Sequence, residues 1–381
     1  MKNKISIESF LDSTNLDLFV KLSSETQIQS LLEIDNSVQF YFQNKEKDLE
    51  IFAIGIHKIL NSFSQFNPNI PIIYIGDFEN INTTTYIPSL FWIRKNSEIK
   101  ILHFKEDQSL KFINEKKNTD IKKSQWTEII EKAKVNFSSN NLDKVVLART
   151  ITEELDSTSM KSLYENIPND LENSFKIIFK QSNDNYFVSV TPERLMKTNN
   201  EGMEIDSIAG TISNNQDDKL LRTDKILNEH RFVKEYIINS LKSVGLVPKI
   251  ISNEKILNLR NLKHLYTKIH VDKFNKKEIL NYVKILHPTP AVGGMPKAES
   301  LKFIKENEEF KRGHYAAPFG YIYQNVSDFA VAIRSAQIQK NIIEYHTGAG
   351  IVNDSDAELE WNETALKLMA LKRYFNESKP L

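Results

Sequence analysis

Apolar and polar positions alternate along this chain in short runs that read as strands, set between helical blocks. Residues 38–60 read as two strands divided by the polar turn Asn44-Lys-Glu-Lys-Asp48, the second running on into a helix. Residues 91–104 read as a hairpin that turns at Lys95-Asn-Ser97. Ser124 is placed to cap an amphipathic helix that runs to about Val135. Asn140-Asn-Leu-Asp143 then leads into an apolar strand over 145–148. A further hairpin, 175–180 with 186–190, ends at Thr191-Pro192-Glu193. A long helix is predicted from about Leu220 to Val244, with Gly245 at its close. Over 329–336 the period is two: Phe329, Val331 and Ile333 share one face, Ala330, Ala332, Arg334 and Ala336 the other. Hairpins and helices in blocks, with no βαβ alternation and no fixed repeat, predict an α+β fold with large antiparallel sheets.

Composition narrows the class of protein more than it identifies one. The 381 residues are 40% hydrophobic and 26% charged, enough for one large domain or two smaller ones. Fifty basic residues balance fifty acidic ones, so no net field favours nucleic acid or an anionic membrane as partner. The absence of cysteine excludes disulfides, thiol catalysis and thiolate metal sites. Glu8 and Asp12 interrupt any signal-peptide core, and the densest apolar run, 70–75, is too short to cross a bilayer. These features read as a soluble, cytoplasmic protein.

Glycine supplies the first pointer to a site. Seven of the 11 glycines fall in four short segments: Gly210, Gly293-Gly294, Gly313 with Gly320, and Gly348 with Gly350. A chain this poor in glycine keeps it where backbone angles or close approach demand it. The segment after Gly348 opens a helix on which Glu360, Glu363 and Lys367 share a face. Paired carboxylates suit Mg²⁺, and a neighbouring lysine suits an anionic ligand, although a solvated Glu363–Lys367 pair explains the same spacing. Glu229 shares a helical stripe with Phe232, Val233 and Tyr236, which turns a carboxylate toward an apolar side. Together the three glutamates form a coherent Mg²⁺ set, and the lack of Cys/His spacing disfavours zinc.

Other candidates are single residues in unusual settings. Arg334, flanked by alanines on its face, leaves room for a carboxylate to dock. Lys144 enters an apolar strand on the face of Val146 and Ala148, where it can serve as a base or reach out to the surface. Glu193 follows a proline at a strand end, as an acid or a turn cap. The loop 286–296 carries His287 among prolines and glycines, and residues 312–320 offer Tyr315 beside another glycine bend.

In this order the segments resemble the chorismate-utilising enzymes, which comprise isochorismate, salicylate, anthranilate and aminodeoxychorismate synthases. The matching stretches are Lys144-Val-Val-Leu-Ala-Arg149, Ser189-Val-Thr-Pro-Glu193-Arg-Leu195, Ile208-Ala-Gly-Thr211, Glu229-His230, 286–294, 315–320, Val331-Ala-Ile-Arg334 and 348–367. The resemblance implies one domain over 1–381, with a divergent N-terminal part (1–120) and a motif-bearing catalytic part (121–381). It implies two similar halves, with sheets sandwiched between helices and a cleft that binds chorismate with Mg²⁺. Carried over by position, Glu229 and Glu363 are metal ligands, and Glu360 acts nearby through water. Arg334 and Tyr315 take the enolpyruvyl carboxylate. Ala209, Gly210, Thr211, His287, Gly348 and Lys367 complete the substrate pocket.

Lys144 together with Ala209 is the water-using pattern, since ammonia-using members carry Gln at the first position or Lys at the second. The implied reaction is isochorismate formation: Lys144 deprotonates water for attack at C2, and Glu193 protonates the departing C4 hydroxyl. Salicylate synthase, which goes on to eliminate pyruvate, is the nearest rival. An ammonia-using synthase and a non-catalytic chorismate sensor are more distant ones. Menaquinone synthesis is the preferred pathway over a catechol siderophore, with no glutaminase subunit and a monomeric state expected. Three departures stand out. Ala317 replaces a common glycine, Phe319 replaces a smaller residue, and the segment between Thr211 and Glu229 is short, the last two being placed at the cleft rim.

Overall fold

The computed structural model describes residues 28, 31–34, 38–60, 67, 69–79, 82–104, 120–139, 141–155, 158–171, 173–259 and 262–376; the signal-peptide reading of the first twelve residues lies outside them. Among the described residues, two antiparallel sheets, of ten and nine strands, pack face to face. Period-two alternation sends successive side chains of each strand into different cores. In Gln39–Gln43, Phe40 and Phe42 enter the core between the sheets, while Tyr41 enters an outer one. Phe175–Ser182 divides in the same way, with Phe175, Ile177 and Phe179 facing the other sheet and Ile178 facing out.

Helices close both outer faces. Lys123–Ser138, Asp224–Ser243, Ile279–Leu286 and Lys297–Asn307 bury Trp126, Val233, Val283 and Phe303 in one outer core. Met160–Asn166 and Ala357–Asn376 bury Leu163 and Leu371 in the other. Each such side chain contributes about 1.5–3 kcal/mol by leaving water. The expected α+β sandwich is therefore present, with helices outside two large antiparallel sheets.

Several local expectations need correction. The chain after Leu49–Ile54 does not continue into a helix over 55–60. Gly55 turns it at positive φ, and Lys58–Ile59 pairs with Thr84–Ile87 in the other sheet. Ser124 does not cap its helix: the cap is Lys122, two residues earlier, and the helix runs from Lys123 to Ser138. The helix expected from Leu220 begins at Asp224, because Thr223 is extended (ψ 150°) and 218–222 form a separate 3₁₀ turn.

The period-two segment around Arg334 is two strands, not one. Val326–Val331 belongs to the nine-stranded sheet and Ser335–Gln339 to the ten-stranded sheet. Arg334 makes the crossing at φ 49°. The neighbouring alanines pack into cores, Ala330 and Ala332 between the sheets and Ala336 outside, so they do not open space for a ligand. Phe319 is likewise core rather than cleft rim. It is fully buried and stacks on Phe187 at 5.2 Å, with His314 edge-on at 5.4 Å.

Two features position the site. Strand Lys144–Glu154 pairs from Val145 onward with Ile342–Ile351, which sets Ala148 opposite Gly348 and Val146 opposite Gly350. Strand Met203–Ser213 carries a bulge at Gly210, whose φ of 75° and missing Cβ suit it to the place: a methyl there would meet Ile226 at 2.4 Å.

Candidate active site

One cleft draws its lining from both sheets, and nine expected site residues line it: Glu193, Ala209, Gly210, Thr211, Tyr315, Arg334, Gly348 and Lys367, and Glu229 from the helix Asp224–Ser243. The bulge explains three of these. In an unbroken strand Gly210 would face away from its neighbours, whereas here all three consecutive residues border the cleft.

Lys144 does not reach the surface. Its side chain is 1% exposed, and its ammonium donates to Glu229 Oε1 at 2.9 Å. Gly350, on the neighbouring strand opposite Val146, makes that pairing possible: a Cβ there would lie 2.9 Å from Lys144 Cε and 3.0 Å from Glu229 Oε1. Because Glu229 and Gly350 both line the cleft, the Lys144 ammonium sits at its wall. Glu193 is on the same cleft. Burial pushes its carboxyl up to about 7, against the pull of Lys144 and a hydrogen bond from Thr289. Lys144 and Glu193 thus act on one cavity, one an ammonium paired to a carboxylate and the other a carboxyl that titrates near neutrality.

Two further cations, Arg334 and Lys367, line the same cleft. Arg334 donates to His264 Nε2 at 3.2 Å, and burial, then the like charge of Arg373, draws its guanidinium down to about 10. It remains charged at neutral pH. His264 Nδ1 lies 3.1 Å from Thr211 Oγ1. Since Arg334 can only donate, Nε2 accepts and Nδ1 carries the proton. Burial and the nearby Arg334 and Lys367 charges hold His264 well below its ordinary value, so it is neutral. Lys367 bonds to the Gly348 carbonyl at 3.1 Å and to Glu363 at 2.6 Å. Tyr315 stacks on His346 at 5.4 Å, and a Cβ at Gly348 would come within 2.8 Å of the Tyr315 hydroxyl.

Three expected residues, His287, Glu360 and Glu363, are not among those that line the cleft. His287 does not border the cleft: it is buried with Nε2 3.3 Å from the Phe78 carbonyl, and burial pushes it down to about 3. Its loop instead supplies Thr289, Ala291 and Val292. Glu360 is buried and accepts from the Ser355 hydroxyl at 2.7 Å, while its helical neighbour Glu363 pairs with Lys367. Among the described residues, no three acidic or histidine side chains stand together in metal-binding geometry. The donors nonetheless suit a hard cation: Glu229 and Glu363 are oxygen-only, partly exposed carboxylates, each already holding a positive group at contact distance.

Thr289, His264, His346 and Gly350 were not among the expected site residues. Gly350 was the most discoverable, as one of the clustered glycines. The two histidines sit inside regular strands, Leu262–Val271 and Ile342–Ile351, with no local motif to mark them.

Comparison with known proteins agrees with this geometry. The family described as chorismate binding enzyme matches residues 80–376. Isochorismate synthase MenF of Escherichia coli is 32% identical over 262 residues, covering 66% of this chain and 60% of its own length. The Bacillus subtilis protein of the same name is 32% identical over 65% of this chain and 55% of its own, so the chain spans well under two thirds of either relative. The Haemophilus influenzae namesake is 26% identical over 99% of this chain and 96% of its own length. Among solved structures, that titled as menaquinone-specific isochorismate synthase MenF from Escherichia coli aligns over 97% of this chain and 98% of its own at 24% identity (TM-score 0.81). Anthranilate synthase component I from Streptococcus pneumoniae aligns over 96% of each chain at 17% identity (TM-score 0.64), which shows a shared fold. With most of its length inside the family match, this chain belongs to the chorismate binding enzymes.

Proposed function

We propose that the protein catalyses conversion of chorismate to isochorismate with Mg²⁺. The observation that carries this reading is the convergence of Lys144 and Glu193 on one cleft, with Ala209 rather than a second lysine beside them. The reaction adds water at C2 of the ring and releases the C4 hydroxyl as water, with the double bonds shifting between. Lys144, in its neutral amine form, takes a proton from the incoming water as the water oxygen bonds to C2. Glu193, held protonated by burial, gives its proton to the C4 oxygen as that bond breaks. The substrate carries two carboxylates, and Arg334, Lys367 and the Tyr315 hydroxyl are the groups that orient them. Neutral His264 steadies Arg334 without adding charge.

Glu229 and Glu363 would hold Mg²⁺, with Glu360 behind them. When bound, the ion offsets the charge of the ring carboxylate and fixes its orientation. Glu363→Gln is expected to raise the Mg²⁺ concentration needed for half-maximal activity by about 10- to 100-fold. An unaltered metal titration would remove Glu363 from this role.

Gly350→Ala tests the wall itself. The added methyl overlaps Lys144 and Glu229, and moving a catalytic group by about 1 Å costs on the order of 10²-fold in rate. The expected result is that loss in kcat with little change in melting temperature. Full activity would show that Lys144 tolerates displacement.

Purified protein incubated with chorismate and Mg²⁺ should accumulate isochorismate, resolved by chromatography. Accumulation of fluorescent salicylate, or turnover that requires ammonium, overturns the assignment in favour of another family activity. Menaquinone synthesis is the proposed destination of the product. Failure of added menaquinone to restore growth in a strain lacking the chain would redirect it.

A further inference from the structure

The strand that carries Lys144 has an unusual outer edge. Ile342–Ile351 covers one side from Val145 onward, but among the described residues the other side pairs only with the two-residue strand Gly294–Met295, opposite Val145 and Lys144. Beyond that pair the edge would be open, with the Val146 carbonyl and the Ala148 amide unmatched by any strand. Two buried side chains take the missing strand's place. Glu308 accepts from the Ala148 amide at 2.8 Å, and Arg312 donates to the Val146 carbonyl at 2.7 Å.

The two side chains form a single unit. Arg312 Nε donates to Glu308 Oε2 at 2.8 Å, and both side chains are about as buried as the core, at 2% and 3% exposed. The third arm of the guanidinium donates to the Val292 carbonyl at 2.8 Å. Its face lies 4.2 Å from the Phe78 ring, and its own carbonyl accepts from the Tyr315 amide at 2.8 Å. Val146, Val292 and Tyr315 all line the cleft. Arg312 therefore ties three segments of the cleft wall together, two through its guanidinium and the third through its own backbone carbonyl, and the strand the guanidinium grips presents Lys144 two residues upstream. A buried ion pair is a poor source of net stability, since desolvation offsets most of the attraction. Its fork geometry, which no apolar side chain reproduces, makes it suited to setting the relative position of backbones.

We propose that Arg312 and Glu308 are a positioning pair that substitutes for a sheet strand and sets where Lys144 and the cleft wall stand. Neither residue touches the cleft, so their effect reaches the reaction through Lys144 placement rather than through substrate capture. The binding cations Arg334 and Lys367 sit on other elements and are left in place.

The inference rests on the isochorismate reading, and the test separates the two. Arg312→Lys keeps the charge and loses the fork; Glu308→Gln keeps an oxygen for the Ala148 amide and loses the charge. In Arg312→Lys, kcat per folded molecule should fall about 10- to 100-fold, with KM for chorismate within about threefold of wild type. Glu308→Gln should fall between. Backbone amides of 145–148 should exchange faster with deuterated solvent in Arg312→Lys. Wild-type kcat per folded molecule in Arg312→Lys, whatever the loss in melting temperature, overturns the proposal by making the pair structural only. A wild-type protein that leaves chorismate unchanged sinks the functional reading instead. In that case the exchange measurement decides: unchanged protection of 145–148 in Arg312→Lys overturns the pair's role.

Discussion

Replacing Lys144 by alanine is expected to lower kcat for isochorismate formation by about 10²- to 10⁴-fold, the range a positioned general base supplies. KM for chorismate should change little, because Arg334 and Lys367, the groups proposed to hold the substrate, enter the cleft from the sheet crossing and the last helix rather than from the Lys144 strand. The variant also leaves Glu229 without its ammonium partner. Lys144→Gln is therefore a useful second variant, since its amide can still donate to Glu229 but cannot take a proton from water. Both variants should be inactive if Lys144 is the base. Activity regained in Lys144→Gln would make the lysine's task the support of Glu229, and wild-type turnover in Lys144→Ala would remove it from the chemistry altogether.

Glu193 produces the second large effect, and its sign can be worked out. The carboxyl must be protonated to deliver a proton to the C4 oxygen, and burial raises it to about 7. The protonated form therefore dominates below neutrality and is lost above it, so kcat should decline as pH rises through about 7. Glu193→Gln should lose about 10²- to 10⁴-fold and with it this alkaline limb. A variant that keeps both the rate and the limb would exclude Glu193 as the acid. The same shift links to stability. The folded state holds the proton more tightly than the unfolded chain, so this group's contribution is full below its ordinary value of 4.5 and lost as pH rises to about 7. For a fully buried group the contribution is on the order of 3 kcal/mol. Thermal melts of wild type and Glu193→Gln between pH 5 and 8 should diverge in that direction, with the wild type losing more stability as pH rises.

Much of the sheet architecture was legible because alternation is a local signal. The hairpins Leu90–Lys95 with Glu98–His103, and Phe175–Ser182 with Asn185–Thr191, lie where their patterns placed them. The region around Arg334 shows the limit of that signal. Its period of two is real, and it does divide side chains between cores, but it carried no hint that the chain leaves one sheet for the other at a single residue of positive φ. Arg334 faces the cleft because of that crossing, and not because alanines beside it leave room. His287 failed for a related reason. A histidine in a turn-rich loop looks available, yet whether the ring or its neighbours face the cleft depends on Phe78, which comes from more than 200 residues away.

By itself the sequence determined the class of fold, the placement of scarce glycines, and the presence of an acid, a lysine and three carboxylates in family motifs. Only the tertiary structure decided which of these meet. Lys144 and Glu229 are 85 residues apart, and their contact exists because Gly350 withholds a side chain between them. The same holds for His264 with Arg334 and for Glu308 with Ala148. Periodicity reports which face of a segment is buried, since that depends on neighbours along the chain. What the buried face touches depends on how all the segments pack together, and no stretch of sequence carries that alone.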